Sequence, residues 1–534
     1  LGAINRRQGG TKISRLSGKW NRADLVRCFI FVLFYAVIVN FPFWAASPLL
    51  GLMRNGLFCV EYAGIGLLAL FVPGIVAGGL LVVVIAADLI CGVSQTFYLS
   101  PSECLRNAGS LFEFSRARFL IVMAVVVLTL LLGTAAAFLP VAKLKGSYRL
   151  IAAACLAAFA VFLVSVDSVT FVRGTGKVPN PFRLALPSDS AKISYFERLW
   201  FARLPMIRLL RNEIKSLDVS AKVFAAQEDG AFVQSASSKG IHPASLIGGD
   251  TGREMPNLVL VLLESWGIPS DTSIRGELVK PYFQSSLLAH YEVSQGTVPF
   301  YGPTIAGEAR ELCSSHIGFH LLDASRQELQ GCLPERLLQL GYHTMVLHGM
   351  DGHMFDRSIW YNTIGFQEKW FRDGFRKQGL PDCVGAFTGT CDGAIAEWIG
   401  HRLAQPEANP DFVYWVTLNS HLPVPTPPPL QAADSCSISP ILSQQSAFCS
   451  WYQLVANVHH SVAQLAMAKL ARPTVFVIVG DHAPAFANPR LRGQFSSEVV
   501  PYIVLVPHPD DKSASSCATT TGCRKPKAGH TEAN

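Results

Sequence analysis

Charge is scarce in this chain. Asp, Glu, Lys and Arg make up 16% of its 534 residues, whereas 50% are hydrophobic. The mean hydropathy of +0.30 is high for a soluble protein. The length exceeds one ordinary domain, and the apolar excess sits in the first third, so a purely soluble protein is excluded. The thirteen cysteines include no CxxC pair, which argues against a cysteine metal site. No small-residue cleavage site closes the first apolar run of this chain, which opens on Leu1, so no cleavable signal peptide is expected. The net charge of +7 is modest, and much of it lies in an arm made of Arg6, Arg7, Lys12, Arg15, Lys19 and Arg22. That arm fits the cytosolic flank of a membrane span better than a nucleic-acid surface, so no nucleic-acid partner is expected.

What is present first is a series of apolar runs. Leu25–Ala46, Leu57–Val72, Ile75–Val93, Phe119–Leu139 and Leu150–Val172 predict five spans, the second shorter than the rest and broken by Pro73-Gly74. Glu61 lies inside that second run, where an acid either faces the bundle interior or sits near the interface. Five spans put everything after Arg173 on the far side from the N-terminal arm, and Lys143, Lys145 and Arg149 fit a cytosolic loop. Arg106, Arg116 and Arg118 fit less well, and a four-span count would leave the large domain cytosolic. The cysteines favour five. Eight of them, Cys313, Cys332, Cys383, Cys391, Cys436, Cys449, Cys517 and Cys523, lie in the soluble part as near-neighbours, suggesting the pairs 313–332, 383–391, 436–449 and 517–523 in an oxidising compartment.

The organisation expected is a transmembrane region (1–175), a connector (176–255), an α/β domain with a central mostly parallel sheet (256–510) and a tail (511–534). Within the connector, Ile193–Val219 reads as an amphipathic helix on the membrane surface or against the soluble domain, and Gln234–Gly252 as a loop. Strands are predicted at Asn257–Leu263, His343–Leu347, Asp411–Leu418, Thr474–Val479 and Val499–Val506, with helices at Pro334–Leu340, Cys391–Leu403 and Ser446–Ala471. Pro423–Pro429 reads as a stiff surface loop.

Four of these strands end in residues of catalytic type: Glu264, then His348, then Asn419-Ser420-His421, then Asp481-His482. In a parallel sheet such ends converge on one rim. Glu264, Asp481 and His482 suit one divalent ion with a position left open. Gly302-Pro303 makes a turn and places Thr304 at a helix start, where its hydroxyl is either an N-cap or a ligand and nucleophile. Arg310 either binds phosphate or pairs with Glu308, and the pair is preferred. Arg357 can fork onto phosphate oxygens, while His353 reads as a surface residue and Tyr361, Gly365 and Phe366 as packing and turn positions. His421 is placed to hydrogen-bond a phosphate oxygen or to protonate a leaving alkoxide.

The motifs LLESWG, Thr304 with Glu308, HG followed by Arg357 and Tyr361, NSHLP and GDHAP, in this order, resemble the membrane-anchored sulfatase-like branch of the alkaline phosphatase superfamily. The resemblance is to lipoteichoic acid synthases and to phosphoglycerol and phosphoethanolamine transferases. It implies one Zn or Mn ion on Glu264, Thr304, Asp481 and His482, Thr304 as nucleophile, and contacts from His348, Arg357 and His421 to the phospho-group or acceptor. It further implies a phospholipid donor, a cell-envelope glycan or lipid acceptor, and a multi-pass bacterial inner-membrane protein with its catalytic domain periplasmic. Ile305 stands where family members often carry a small polar residue, and AGEARELC is similar to the cellulose-modifying phosphoethanolamine transferases. No CxPxR-type motif for formylglycine occurs near Thr304, which disfavours sulfate-ester hydrolysis; a phosphodiesterase using water is the alternative.

Overall fold

The computed structural model describes residues 22–52, 57–97, 101–109, 116–139, 144, 146–170, 235–240, 255–300, 302–314, 329–424, 436–496 and 498–508. The readings made for Ile193–Val219, most of Pro423–Pro429, Cys517, Cys523 and the tail fall outside these residues. The two largest apolar cores among the described residues lie among the N-terminal helices and around the C-terminal sheet.

The N-terminal part holds α1 (Arg22–Ala36), α2 (Phe41–Leu50), α3 (Val60–Ala69), α4 (Gly74–Phe97), α5 (Arg116–Phe138) and α6 (Gly146–Thr170). Among the described residues, four helical stretches are long and apolar enough to cross a membrane: Arg22–Leu50, Gly74–Ser94, Arg116–Phe138 and Gly146–Ser165. The expected five helical spans are therefore corrected to four. The run at Leu57–Val72 forms only the ten-residue α3, about 15 Å of helix against an apolar core of about 30 Å.

Contacts hold α3 against the first two helices. The Trp44 indole of α2 donates to the Leu57 carbonyl (2.6 Å). The Cys59 N–H then donates to Asn40 Oδ1 (2.9 Å), at the break between α1 and α2. From there α3 runs antiparallel to α1, with Gly66 tight against Tyr35 and Leu156. Gly74 lies so near Ala137 that a Cβ would sit 2.3 Å from its carbonyl oxygen. Non-helical backbone is tolerated at such depth only where protein satisfies it, and Asn40, fully buried, does that here. The predicted intramembrane acid, Glu61, is half-buried in the first turn of α3. The deeper carboxylate is Asp88 of α4, which accepts from the Tyr62 hydroxyl (3.0 Å).

The C-terminal domain is built on β1 (Asn257–Leu263), β2 (Tyr291–Pro299), β3 (His343–His348), β4 (Glu368–Trp370), β5 (Asp382–Val384), β6 (Thr388–Thr390), β7 (Asp411–Val416), β8 (Thr474–Gly480) and β9 (Val499–Pro507). Seven of them form one sheet in the order β2-β9-β8-β1-β7-β3-β4, and β5 and β6 form a small hairpin. The pairs β8-β1, β1-β7, β7-β3 and β3-β4 are parallel, whereas β9 runs antiparallel to β8 and to β2. β1, β7 and β8 are buried along their whole length, as central parallel strands covered on both faces must be. The helices that matter to the site are α7 (Thr304–Cys313), α8 (Arg357–Thr363), α9 (Asp392–Leu403) and α10 (Ser446–Ala466).

Register fixes the rim. Leu263 is level with Gly480, Leu262 with Val416, and Val416 with His348. The residues after β1, β7 and β8 therefore emerge side by side. The disulfides Cys313–Cys332, Cys383–Cys391 and Cys436–Cys449 are all formed, and Cys28, Cys59, Cys91, Cys104 and Cys155 take no part in them. The stretch expected as a loop at Gln234–Gly252 contains a helical turn, Ser237–Gly240, held because its first N–H and hydroxyl bond Glu311.

The Asn40 bridge yields a prediction. Asn40→Ala leaves the Cys59 N–H buried and unsatisfied, so stability falls by about 1–3 kcal/mol, read as a lower unfolding midpoint in detergent. Thr134→Ala, on the exposed face of α5, is expected to leave the midpoint nearly unchanged.

Candidate metal and phosphoryl-transfer site

Glu264 follows β1 directly, and Asp481 and His482 follow β8. All three are buried, and their ligand atoms lie within 4.8 Å of one another. Gly480 has to be glycine, since a Cβ there would stand 2.0 Å from the Trp266 carbonyl oxygen. Ser265, with φ of 58°, turns the chain sharply after Glu264. Asp481 Oδ1 accepts the backbone N–H groups of Ser265 (2.7 Å) and His482 (2.6 Å), which leaves Oδ2 facing inward. The Ser265 hydroxyl donates to Glu264 Oε1 (2.8 Å), and the Ser420 hydroxyl to the Glu264 carbonyl (2.6 Å).

Thr304 arrives from the opposite direction, as the first residue of α7 after Gly302 and Pro303. Its Oγ1 lies 3.1 Å from Glu264 Oε2 and 2.9 Å from Asp481 Oδ2. His482 Nε2 lies 3.3 Å from Asp481 Oδ2 and 3.6 Å from Glu264 Oε1. Gly307, one turn along α7, lets the helix approach this turn, since a Cβ would already be 3.2 Å from Asp481 Cα.

This donor set fits a divalent cation. A threonine hydroxyl carries one hydrogen and cannot donate to both carboxylates at once. Burial and the adjacent Glu264 push the Asp481 carboxyl up to about 7, the expected response of like charges packed together in a dry site. A proton relieves that crowding partly; a cation between two carboxylates, a hydroxyl and an imidazole relieves it fully. Zn and Mn both suit such mixed oxygen and nitrogen ligands.

The three histidines share one arrangement. Nδ1 of His482 meets the Ala483 carbonyl (3.0 Å), Nδ1 of His421 the Leu422 carbonyl (2.7 Å), and Nδ1 of His348 the Val416 carbonyl (3.0 Å). Only a ring N–H can donate to a carbonyl, so Nδ1 is the donor in each. In His482 the other nitrogen, Nε2, faces the two carboxylates, and the Nδ1 bond is the orienting contact a metal-bound imidazole uses. Burial, with His482 as the next cause, lowers the His421 pKa to about 4, so it rests neutral. His348 is likewise held neutral, by burial and then by Arg357.

A second cluster adjoins the first. Glu308, one turn after Thr304 on α7, accepts Nε (2.9 Å) and Nη2 (2.7 Å) of Arg357 at Oε1, and the Tyr361 hydroxyl at Oε2. Arg357 Nη1 donates to His348 Nε2 (3.2 Å). These bonds use three of the five N–H groups of Arg357. The preferred Arg310–Glu308 pair is corrected. Arg310 pairs with Glu311 (2.6 Å) and clamps the β8 turn through the carbonyls of Gly480 (2.7 Å) and Pro299 (3.0 Å). Residues two apart on a helix point to opposite sides, which the sequence spacing already forbade. Tyr361 is a polar partner as well as a packing residue. Its signal was its i+4 position after Arg357, which places both side chains on one face of α8.

Asp392 was missed altogether. At the start of α9, it accepts the backbone N–H groups of Leu418 (3.0 Å) and Asn419 (2.7 Å), while its own N–H donates to Asn419 Oδ1 (2.8 Å). This interlock shapes the turn that delivers His421, and burial raises its carboxyl to about 7. His353 is exposed beside Asp351, as expected of a surface residue.

The α/β domain thus sets two carboxylates and an imidazole that could hold a metal ion at the carboxyl ends of parallel strands, against a hydroxyl at a buried helix start. Residues 256–515, just under half of the chain, match the family described as Sulfatase. Among solved structures, a protein of the alkaline phosphatase superfamily from Vibrio parahaemolyticus is similar at 17% identity, with 51% of this chain and 66% of that one covered and a TM-score of 0.35. The Streptococcus pyogenes phosphoglycerol transferase GacH in complex with sn-glycerol-1-phosphate is similar at 14% identity, covering 51% and 77%, with a TM-score of 0.34. The periplasmic domain of Escherichia coli EptC in complex with Zn is similar at 14% identity, covering 48% and 74%, with a TM-score of 0.32. No relative was found among the curated proteins.

The crowding at Asp481 predicts a pH-dependent result. A carboxyl whose folded pKa is raised from 3.8 to about 7 weakens folding as pH rises through that window. In chelator, Asp481→Asn therefore raises the unfolding midpoint at pH 8, and the gain fades toward pH 4. Added Zn or Mn reverses the order at pH 8, because only the wild-type carboxylate gains from the ion.

Proposed function

We propose that this chain transfers the phospho-headgroup of a phospholipid, phosphoethanolamine or phosphoglycerol, through a phospho-threonine at Thr304 to a hydroxyl of an envelope glycan or lipid. The observation that carries this reading is the Thr304 hydroxyl, held at the start of a buried helix and against Glu264 and Asp481. Glu264, Thr304, Asp481 and His482 would hold one Zn or Mn ion, which supplies Lewis-acid stabilisation of the threonine oxygen and the phosphoryl oxygens.

The chain's own residues divide the rest of the work. Thr304 Oγ1 forms a bond to phosphorus as the phosphorus–oxygen bond to diacylglycerol breaks. The N-terminal end of α7 favours the negative charge that develops there. Arg357, kept protonated because Glu308 and Tyr361 outweigh its burial, offers its remaining N–H groups to the phosphoryl oxygens. Neutral His421, with its Nε2 lone pair, takes the proton of the acceptor hydroxyl as that oxygen displaces Thr304. In the first half, by reversibility, neutral His421 takes the proton that the Thr304 hydroxyl gives up and passes it to the departing diacylglycerol oxygen. Glu308 fixes Arg357, and Arg357 fixes His348.

The orientation follows from the same chain. Among the described residues four helical stretches are long and apolar enough to cross, and we take the shorter α3 as part of a fifth passage, which sets the two ends on opposite sides. Arg22 and Arg27 lie at the end remote from the α/β domain, as a cytosolic flank requires. Three disulfides on the other side support an oxidising, periplasmic compartment.

Thr304→Ala should abolish transfer from labelled phosphatidylethanolamine or phosphatidylglycerol without lowering the unfolding midpoint, and Thr304→Ser should retain part of the activity. Mass spectrometry of the Thr304 peptide after incubation with each lipid should find the headgroup phosphate on that residue. Full turnover by Thr304→Ala sinks the covalent route. Headgroup release with no acceptor product would favour the alternative, a phosphodiesterase that uses water.

A further inference from the structure

The membrane bundle touches the α/β domain on the rim of the site. Arg118, in the first turn of α5, donates from Nη1 to the Gly385 carbonyl (2.7 Å) and from Nη2 to the Pro423 carbonyl (2.5 Å). Gly51, at the end of α2, packs on the Pro423 ring. The Phe355 N–H donates to Asn107 Oδ1 (3.1 Å), just before Arg357 and within a pair of left-handed residues, Phe355 (φ 56°) and Asp356 (φ 48°).

The two carbonyls gripped by Arg118 belong to the two segments that enclose the His421 ring. Pro423 is two residues beyond His421, and between them the Leu422 carbonyl takes the His421 Nδ1–H. Gly385 is two residues before Phe387, whose ring meets the His421 ring edge-on at 4.8 Å. A guanidinium is a planar fork with fixed spacing between its donors. Bridging both carbonyls therefore sets the separation of the segments, and with it where His421 Nε2 points. Asp392 fixes the β7 side of the same turn, but within the α/β domain; the 423 side is fixed from the membrane bundle.

We propose that Arg118 is a positioning residue for His421, so that the membrane bundle completes the geometry of the reaction as well as anchoring the domain. This rests on the role given to His421 above. A simple docking contact would act differently: its loss would weaken engagement with the lipid donor and would be indifferent to the identity of residue 421.

The test uses the full chain in nanodiscs of phosphatidylethanolamine and phosphatidylglycerol, with turnover measured for the wild type, Arg118→Gln, Arg118→Lys, His421→Gln and the Arg118→Gln/His421→Gln double variant. Arg118→Gln should lower kcat about tenfold with KM within about twofold, whereas in the His421→Gln background the same change should cost less than about twofold. Arg118→Lys, which keeps the charge but not the fork, should recover only part of the loss, and it carries the comparison if Arg118→Gln does not purify folded. An equal loss in both backgrounds, or an effect on KM alone, overturns the inference. If His421→Gln loses activity strongly while Arg118→Gln retains it, only this inference fails. If His421→Gln itself is unimpaired, the catalytic reading of His421 fails and takes this inference with it.

Discussion

Two carboxylates brought together out of water are the constraint on which the rest of this protein depends. Glu264 and Asp481 leave neighbouring parallel strands at the same level because Leu263 and Gly480 are in register. Their proximity is thus a consequence of the sheet rather than of flexible side chains. Burying one unpaired carboxylate is costly, and burying two side by side is worse. The fold meets part of that cost with backbone N–H groups on Asp481 and hydroxyls on Glu264. What remains is an inward-facing pair of oxygens suited to a cation, with the Thr304 hydroxyl and the His482 imidazole beside them.

Helix α7 then transmits this arrangement to the second cluster. Thr304 and Glu308 are one turn apart and share a face, so a helix placed to serve the carboxylate pair automatically sets Glu308 against Arg357 and Tyr361. Arg310, on another side of the same helix, ties it back to the carbonyl of Gly480. All of α7 from Thr304 to Leu312 is buried, which is unusual for a helix with Glu308, Arg310 and Glu311 in its sequence. These charges are tolerated because each is paired and hydrogen-bonded.

Much of this was legible in the sequence, and the legible part has a common cause. Central parallel strands are apolar on both faces, so NLVLVLL, HTMVLH, DFVYWV and TVFVIV announce themselves, and the polar residues just after them stand out. The edge strand β2 does not. Its middle, Glu292 to Thr297, is largely exposed, and Gly296 interrupts it to make room for Tyr502. The short α3 misled for the opposite reason. Hydropathy over Leu57–Val72 registers apolar content, not whether the backbone is helical, and the part before Val60 is held by Asn40 and Trp44 instead. Glu308 was paired with its sequence neighbour because its true partners, Arg357 and Tyr361, lie about fifty residues away. Asp392 gave no signal, since an Asp at a helix start is ordinary and its partners lie 26 and 27 residues on.

The division of the chain into an apolar bundle and an α/β domain is therefore not a division of labour between anchor and enzyme. The rim carries two segments that the sheet does not itself determine: the left-handed turn before Arg357 and the turn after β7 that bears His421. Strained or irregular backbone persists only where surroundings over-determine it. Here those surroundings come from both parts, with Asp392 and Glu308 on one side and Asn107, Arg118 and Gly51 on the other. Under the proposed function, a donor whose headgroup lies at the membrane surface would meet the site at that same boundary. The candidate residues least fixed by the sheet, Arg357 and His421, would then be those closest to the lipid, held in part by contacts from the bundle.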